Sequence, residues 1–251
     1  MSLPVFRAGY LPGLKENKLT WQRLPFGQGE TACEVEVPVL TPAQMTELAE
    51  RVRTASQRHL KTRNLSYIIA VIDTAVARLL DEQDPYRQQL AEWLPRCSGL
   101  APDMVRLGLN AFLKTFRALQ LQRFVAEDFA NPKMLDEFQP RPKGGWAKAV
   151  GPDLLLHVWA GNVPALPLWS LVSGLLVKAG TVGKVASAEP VFASLMARLL
   201  VEVEPRWADC LAVVWWQGGD VAQERVAFAQ ADVVLAYGGN DSLSAMQQQV
   251  P

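Results

Sequence analysis

The sequence predicts an α/β fold: a doubly wound, mostly parallel sheet preceded by a helical block. Two observations carry this expectation. Between Asp153 and Pro190, an apolar run of strand length (Leu154 to Ala160) leads into a tight Gly161-Asn162. An apolar stretch from Val163 to Ala179 follows, then a second short strand from Thr181 to Val185 that ends near Lys184. Strand, turn, helix and strand in that length form a βαβ unit, which requires parallel pairing. The second observation is that the alternation continues. A helix over 189–203 is started by Glu189-Pro190, then come a strand over 211–216, a helix over 221–229, a strand over 232–237 and a last helix from Ser242. At least four parallel strands result. Ligands of such sheets bind where strands end and helices begin.

The run from Leu154 to Val177 contains no Asp, Glu, Lys or Arg, and its length would span a bilayer. Gly161, Asn162, Pro164 and Pro167 divide it into strand plus helix, and no basic cluster flanks it, so no membrane insertion is expected. Gly180 is the expected stop of the helix over 163–179.

Ahead of this unit, residues 1–40 are rich in Pro and Gly and form an expected extended arm. Within it, Cys33 to Leu40 reads as a strand, which Pro38 places at a sheet edge. An arm of this kind can pair with a second subunit, so a homo-oligomer is one expectation. Thr41-Pro42 starts a first helix, Asn64 caps a second, and Asp84-Pro85 starts a third that ends near Pro95. Pro102-Asp103 starts a fourth, long helix carrying Met104, Leu107, Leu109, Phe112, Phe116 and Leu119. The helical block thus covers 41–130 and packs on the following lobe, residues 150–251. The loop over 131–152 is the main boundary. The basic residues Arg51, Arg53, Arg58, Lys61 and Arg63 read as a solvated helix face, with phosphate contact the alternative.

The chain of 251 residues has a formal net charge of +0 and is 49% hydrophobic. That permits a large core and gives no electrostatic footprint for nucleic acid. The first residues lack a basic-then-apolar signal segment, which points to a cytoplasmic protein. Cys33, Cys97 and Cys210 are too few and too widely spaced for a disulfide framework or a zinc site, and with only His59 and His157 no metal site is expected.

Three strand ends carry candidate ligand turns: Gly161-Asn162, Lys184 to Ser187, and Gly238-Gly239-Asn240-Asp241-Ser242. Glycine lets backbone N–H groups approach a phosphate, and the following helix N-terminus favours the anion. No GxGxxG follows a strand and no GxxxxGK[ST] occurs, so neither standard nucleotide fingerprint is present.

The order strand, GN, P, long apolar helix, AGT, V-x-K, S, helix, GGD, strand, YGG, helix resembles the cofactor lobe of the aldehyde dehydrogenase superfamily. Gly161-Asn162-Val163-Pro164, Pro167-Leu168-Trp169-Ser170 and Ala236-Tyr237-Gly238-Gly239 are most similar to its acyl-CoA reductase branch, which includes the fatty-acid reductase of bacterial luminescence. The resemblance covers about 150–251. It implies that Asn162 supports a thioester oxyanion, that Lys184 holds the adenosine ribose, and that Gly161, Gly238, Gly239, Asn240 and Ser242 line the dinucleotide. A capping role for Asn162 is the structural alternative.

Two departures from the family matter. Its ribose-binding Glu stands three residues after the lysine, where this chain has Ser187, with Glu189 two further on. The uncharged Ser187 implies NADPH as cofactor, with NADH the alternative should Glu189 take that place. The family's nucleophilic cysteine falls in a further lobe beyond residue 251. The resemblance therefore implies a reductase of acyl-CoA whose cofactor lobe alone is inactive and exposes an unpaired sheet edge. A noncatalytic nucleotide-binding or interaction protein and an aldehyde-oxidising dehydrogenase remain the alternatives.

Overall fold

The computed structural model describes residues 3–251. The strands of the carboxy-terminal lobe are β6 (Leu154–Val158), β7 (Gly180–Lys184), β8 (Leu211–Val214) and β9 (Val233–Ala236). All pair in parallel, in the order β8-β7-β6-β9. Their connections are the helices α6 (Pro167–Leu176), α7 (Val191–Val203) and α8 (Val221–Gln230), and α9 (Asn240–Gln247) follows β9. The chain steps from β6 through β7 to β8, then crosses back to lay β9 on the other side of β6. The strand order therefore reverses between β6 and β9, and this switch point is where open parallel sheets bind ligands.

Alternate residues of each strand serve two different cores. Leu154, Leu156, Val158 and Val182 face α1 (Pro42–His59) and α8. The opposite face packs on α6 and α7, which the helices α2 (Leu65–Leu80) and α3 (Pro85–Ser98) cover in turn. That face carries Gly183, and a Cβ there would overlap the ring of Trp159, whose Nε1 donates to Ser170 Oγ at 2.7 Å. Gly183→Ala is therefore expected to cost about 1–3 kcal/mol by overpacking. A lowered denaturant midpoint checks this; an unchanged midpoint would mean that the indole yields freely.

Sequence and structure differ at several elements, each for a tertiary reason. The helix expected over 163–179 spans only Pro167–Leu176. Ala165, at φ 67°, interrupts the chain before it, and Pro167 takes the first helical position. Lys178, at φ 64°, ends it, with Ala179 N–H donating to Gly174 O at 2.9 Å. Gly180 is thus not the stop. It opens β7, and a Cβ there would lie 2.9 Å from Ser56 Cβ of α1, so it is the close approach of helix to sheet that requires glycine. Helix α3 runs through Pro95 to Ser98 and ends on left-handed Gly99.

The expected long fourth helix is two helices, α4 (Pro102–Lys114) and α5 (Ala118–Asp128). Asp73 of α2 takes the Ala118 N–H at 2.8 Å and the Arg117 guanidinium, which fixes a new N-terminus at that point. Met104, Leu107 and Leu119 of the expected apolar face are more than half exposed.

In the amino-terminal arm, β1 (Val5–Arg7), β2 (Thr20–Phe26) and β3 (Cys33–Val39) form a sheet ordered β1-β3-β2. The strand containing Pro38 is therefore central, not an edge. Glu34 N–H and Glu36 O face β1, through Pro4 and Ala8. By the two-residue repeat Pro38 faces that side too, beyond the last β1 pair at Arg7–Glu36, where no donor is needed. Bridges from Tyr10 to Val213 and from Val39 to Trp215 lay the arm along the outer side of β8. Strand β9 forms the other edge of the sheet, with Val233 exposed. Two short strands, β4 (Gln139–Pro140) and β5 (Trp146–Ala147), pair within the loop between the helical block and the parallel sheet. Among the described residues no helix is long and apolar enough to cross a membrane.

Candidate functional site

Parallel pairing brings the strand ends into one row. Val158 stands opposite Lys184 on one side and Ala236 on the other. The turns that follow share the carboxyl edge of the sheet. The Asn162 turn leans toward β7, because Gly161 packs so closely that a Cβ would sit 2.8 Å from Ala186 Cβ and 3.0 Å from Ala188 Cβ. Asn162 itself is exposed. The N-cap of α6 falls at Leu166, which has no side-chain cap, so Asn162 does not cap that helix.

Lys184 is not a solvated strand-end lysine. Its residue is 8% exposed, on the α8 side of the sheet, with Nζ 5.9 Å from the centre of the Trp216 ring. Burial pushes its ammonium below the usual lysine value, and the carboxylate of Glu224 on α8 partly offsets this. Glu224 also accepts from Gly219 N–H at 3.3 Å. Among the described residues no hydrogen bond or ion pair engages Lys184 Nζ. Trp216 and Glu224 were not found from the sequence, since neither lies in a motif; the aromatic pair closing strand 211–216 was the only signal.

Ser187 Oγ accepts from Trp215 Nε1 at 3.0 Å, which leaves the hydroxyl hydrogen free to donate. Glu189 does not stand beside it. Its Oε1 accepts from Val191 N–H at 2.8 Å and Phe192 N–H at 2.9 Å, so it caps α7 from a position 3% exposed. Its Oε2 is buried without a partner, and burial pushes the carboxyl up despite the two backbone donors. Swinging out to a ribose would forfeit both cap bonds.

Gly238, Gly239, Asn240 and Ser242 are exposed and lie beyond β9, two strands from Lys184, or roughly 10 Å across the sheet. Neither glycine has positive φ, and nothing lies within 4 Å of a Cβ built on Gly239. No neighbour in this chain demands glycine there; a side chain would fill only the open space above the switch point.

Of the basic residues read as a solvated face, Arg58 is exposed as expected, while Arg51, Arg53 and Lys61 are paired. Arg53 pairs with Asp232 at 2.8 Å and Lys61 with Asp153 at 3.2 Å, both where strands begin. Arg51 reaches Asp209 at 3.5 Å. These contacts tie α1 to the end of the sheet opposite the site.

None of the three cysteines is primed as a nucleophile. Burial pushes the thiols of Cys33 and Cys97 up, and that of Cys210 up to about 12, with Asp209 adding to the last. A thiol held in that form does not attack a thioester at neutral pH.

Sheet order, helix placement and the row of turns define an aldehyde-dehydrogenase-type α/β fold. The NADP-dependent glyceraldehyde-3-phosphate dehydrogenase of Bacillus halodurans C-125 matches it with a TM-score of 0.76 at 13% identity, over 98% of this chain and 51% of that one. Aldehyde dehydrogenase 21 of Physcomitrella patens matches at 0.75 and 15%, over 99% and 50%. More narrowly, the chain belongs to the acyl-CoA reductase (LuxC) family, whose model matches residues 60–251. It is 25% identical over 234 residues to the long-chain acyl-protein thioester reductase of Photorhabdus luminescens, which covers 92% of this chain and 46% of that protein. The chain thus spans less than half the length of the relatives it matches.

Proposed function

We propose that this chain is the NADPH-binding lobe of an enzyme that reduces a long-chain acyl thioester, carried on CoA or on a protein, to an aldehyde. The observation that carries this reading is Lys184, at the carboxyl end of a parallel sheet beside the switch point: its residue is only 8% exposed, and among the described residues no hydrogen bond or ion pair engages its ammonium. Such a charge is costly unless a ligand supplies what the protein withholds. The glyceraldehyde-3-phosphate dehydrogenase named above was solved in complex with NADP. The residues here fit the same group. Lys184 would hold the adenosine ribose and its 2′-phosphate, and the free hydroxyl hydrogen of Ser187 would donate to that phosphate. Glu189, turned inward to cap α7, does not stand there to repel it. Gly161 lets the Asn162 turn close over the strand ends, while Gly238, Gly239, Asn240 and Ser242 bound the other side.

When bound, the dinucleotide supplies hydride. Asn162 would donate its side-chain amide to the acyl oxygen as charge develops there. The acyl group would first pass to a cysteine thiolate with release of the carrier thiol, and hydride addition to the acyl carbon with departure of that cysteine thiolate would then release aldehyde. The thiolate must come from outside these 251 residues, given the raised thiols of Cys33, Cys97 and Cys210. This chain alone is therefore expected to bind dinucleotide and to oxidise none in the presence of acyl-CoA. Turnover abolished by Cys210→Ala would overturn that reading.

Cofactor choice is tested by titrating this chain with NADPH and NADH. Wild type is expected to prefer NADPH, and Ser187→Glu is expected to weaken NADPH binding about tenfold or more, equivalent to about 1.4 kcal/mol, by placing a carboxylate against the phosphate. NADH binding as tight as NADPH binding in wild type, or unchanged NADPH affinity in Ser187→Glu, would sink the assignment.

A further inference from the structure

Two apolar cavities lie in succession along α4. The first, of about 260 Å³, is bounded by Met104, Gly108 and Leu109 of α4 and by Val163 and Pro164 of the Asn162 turn. The second, of about 490 Å³ and reached at the end of α4, lies between Phe116, Phe124, Trp169 and Val172, with Arg123 and Glu127 also on its wall. Phe112 lines both. Volumes of this size are those of small-ligand sites.

We propose that Phe112 sets the length of acyl chain that this lobe accepts. The chain would enter beside Asn162, lie in the first cavity and meet Phe112 as the wall before the second. This deepens the thioester reading of Asn162 and rests on it. Val163, the residue after Asn162, lines the first cavity, so a substrate whose acyl oxygen is held by Asn162 would have that cavity within reach of its methylene chain. No charged or hydrogen-bonding side chain lines that cavity, and two of its lining residues, Met104 and Val163, are 63% and 49% exposed. An open apolar groove rooted at the reacting carbonyl suits a hydrocarbon tail. The space is real even within the helix: a Cβ on Gly108 would meet nothing within 4 Å. Phe112 is half-buried and leans edge-on against Phe116, their ring centres 4.9 Å apart. Beyond it, Phe116 and Phe124 pack against Trp169 at 5.6 and 5.2 Å, contacts that do not include Phe112. The wall can therefore be removed without dismantling the second cavity.

The test is displacement of a fluorescent fatty acid from this chain by octanoate, dodecanoate and hexadecanoate, which needs neither dinucleotide nor nucleophile. Each buried methylene strengthens binding about fourfold. Wild type is expected to gain with chain length until the tail reaches Phe112 and then to level off. Phe112→Ala is expected to keep gaining, raising the hexadecanoate-to-dodecanoate affinity ratio about tenfold. Phe112→Leu, which costs less packing, shifts the ratio the same way by a smaller factor. Gly108→Leu fills the first cavity from a helix face with open room and is expected to weaken all three ligands. A ratio unchanged in both Phe112 variants, undiminished binding in Gly108→Leu, or no fatty-acid binding by wild type each overturns the proposal. NADPH affinity, read separately on the same variants, is expected to stay unchanged, so failure of the cofactor reading would show there and not in the fatty-acid ratios.

Discussion

Replacing Asn162 by alanine is expected to lower acyl-thioester-dependent NADPH oxidation by the enzyme carrying this lobe about a hundred- to a thousandfold. That is the usual loss when one donor to an oxyanion is removed. The effect is expected in kcat, because the amide acts on charge that develops only in the transition state. Dinucleotide affinity is expected to stay near wild type, since Lys184 and Ser187 on the adjacent strand end are untouched. Stability is expected to change by no more than about 0.5 kcal/mol, because Asn162 is exposed and caps no helix. Asn162→Asp keeps the size of the side chain but turns a donor into a charge that opposes the oxyanion, and it is expected to lose as much or more. Steady-state kinetics with a dinucleotide titration separate the outcomes. A kcat within about threefold of wild type in Asn162→Ala would remove the oxyanion role.

The second large effect is acid sensitivity through His157. This residue is fully buried on β6, stacked against Trp159 at 5.5 Å, with both ring nitrogens lacking partners. Burial lowers its pKa from 6.5 to about 3. The folded protein thus holds the imidazole neutral, while the unfolded chain takes up a proton as pH falls below about 6.5. The stability this preserves is whole above that value and is lost as pH falls from 6.5 toward 3. The loss amounts to about 2 kcal/mol at pH 5 and about 3 kcal/mol at pH 4. Asp73, Asp153 and Asp232, whose carboxyls are held low by their hydrogen bonds, add losses only below about pH 4. Glu189, pushed up by burial, works in the opposite sense, its contribution growing as pH falls. His157→Leu removes the imidazole and leaves Glu189 in place. The difference between wild type and variant, read from urea midpoints between pH 7 and pH 4.5, is therefore the His157 contribution. Parallel pH profiles for the two proteins would refute it.

Much of the scaffold was legible because its signals are carried by consecutive residues. The βαβ succession follows from strand-length apolar runs cut by Gly161-Asn162. Thr41, Asn64 and Asp84 do cap the helices that follow them, because a cap needs only a side-chain oxygen and an N–H two or three residues on. The three ligand turns fall at one edge of the sheet because parallel strands all end on the same side. What the residues could not reveal alone depends on partners far away in the chain. Asp73 divides an apparently continuous helix by capping Ala118, 45 residues later. Gly180 and Gly183 read as breakers or strand glycines, yet they are required by Ser56 and Trp159 pressing on the sheet. Pro38 sits in a central strand because β1 ends before reaching it. The chemistry of the site divides in the same way. That Asn162, Lys184 and Ser187 stand at strand ends is a matter of sequence order. That Lys184 is largely desolvated beside Trp216 and Glu224 while Glu189 is turned inward to cap α7 was decided only by packing, because desolvation depends on which distant side chains exclude water from a group.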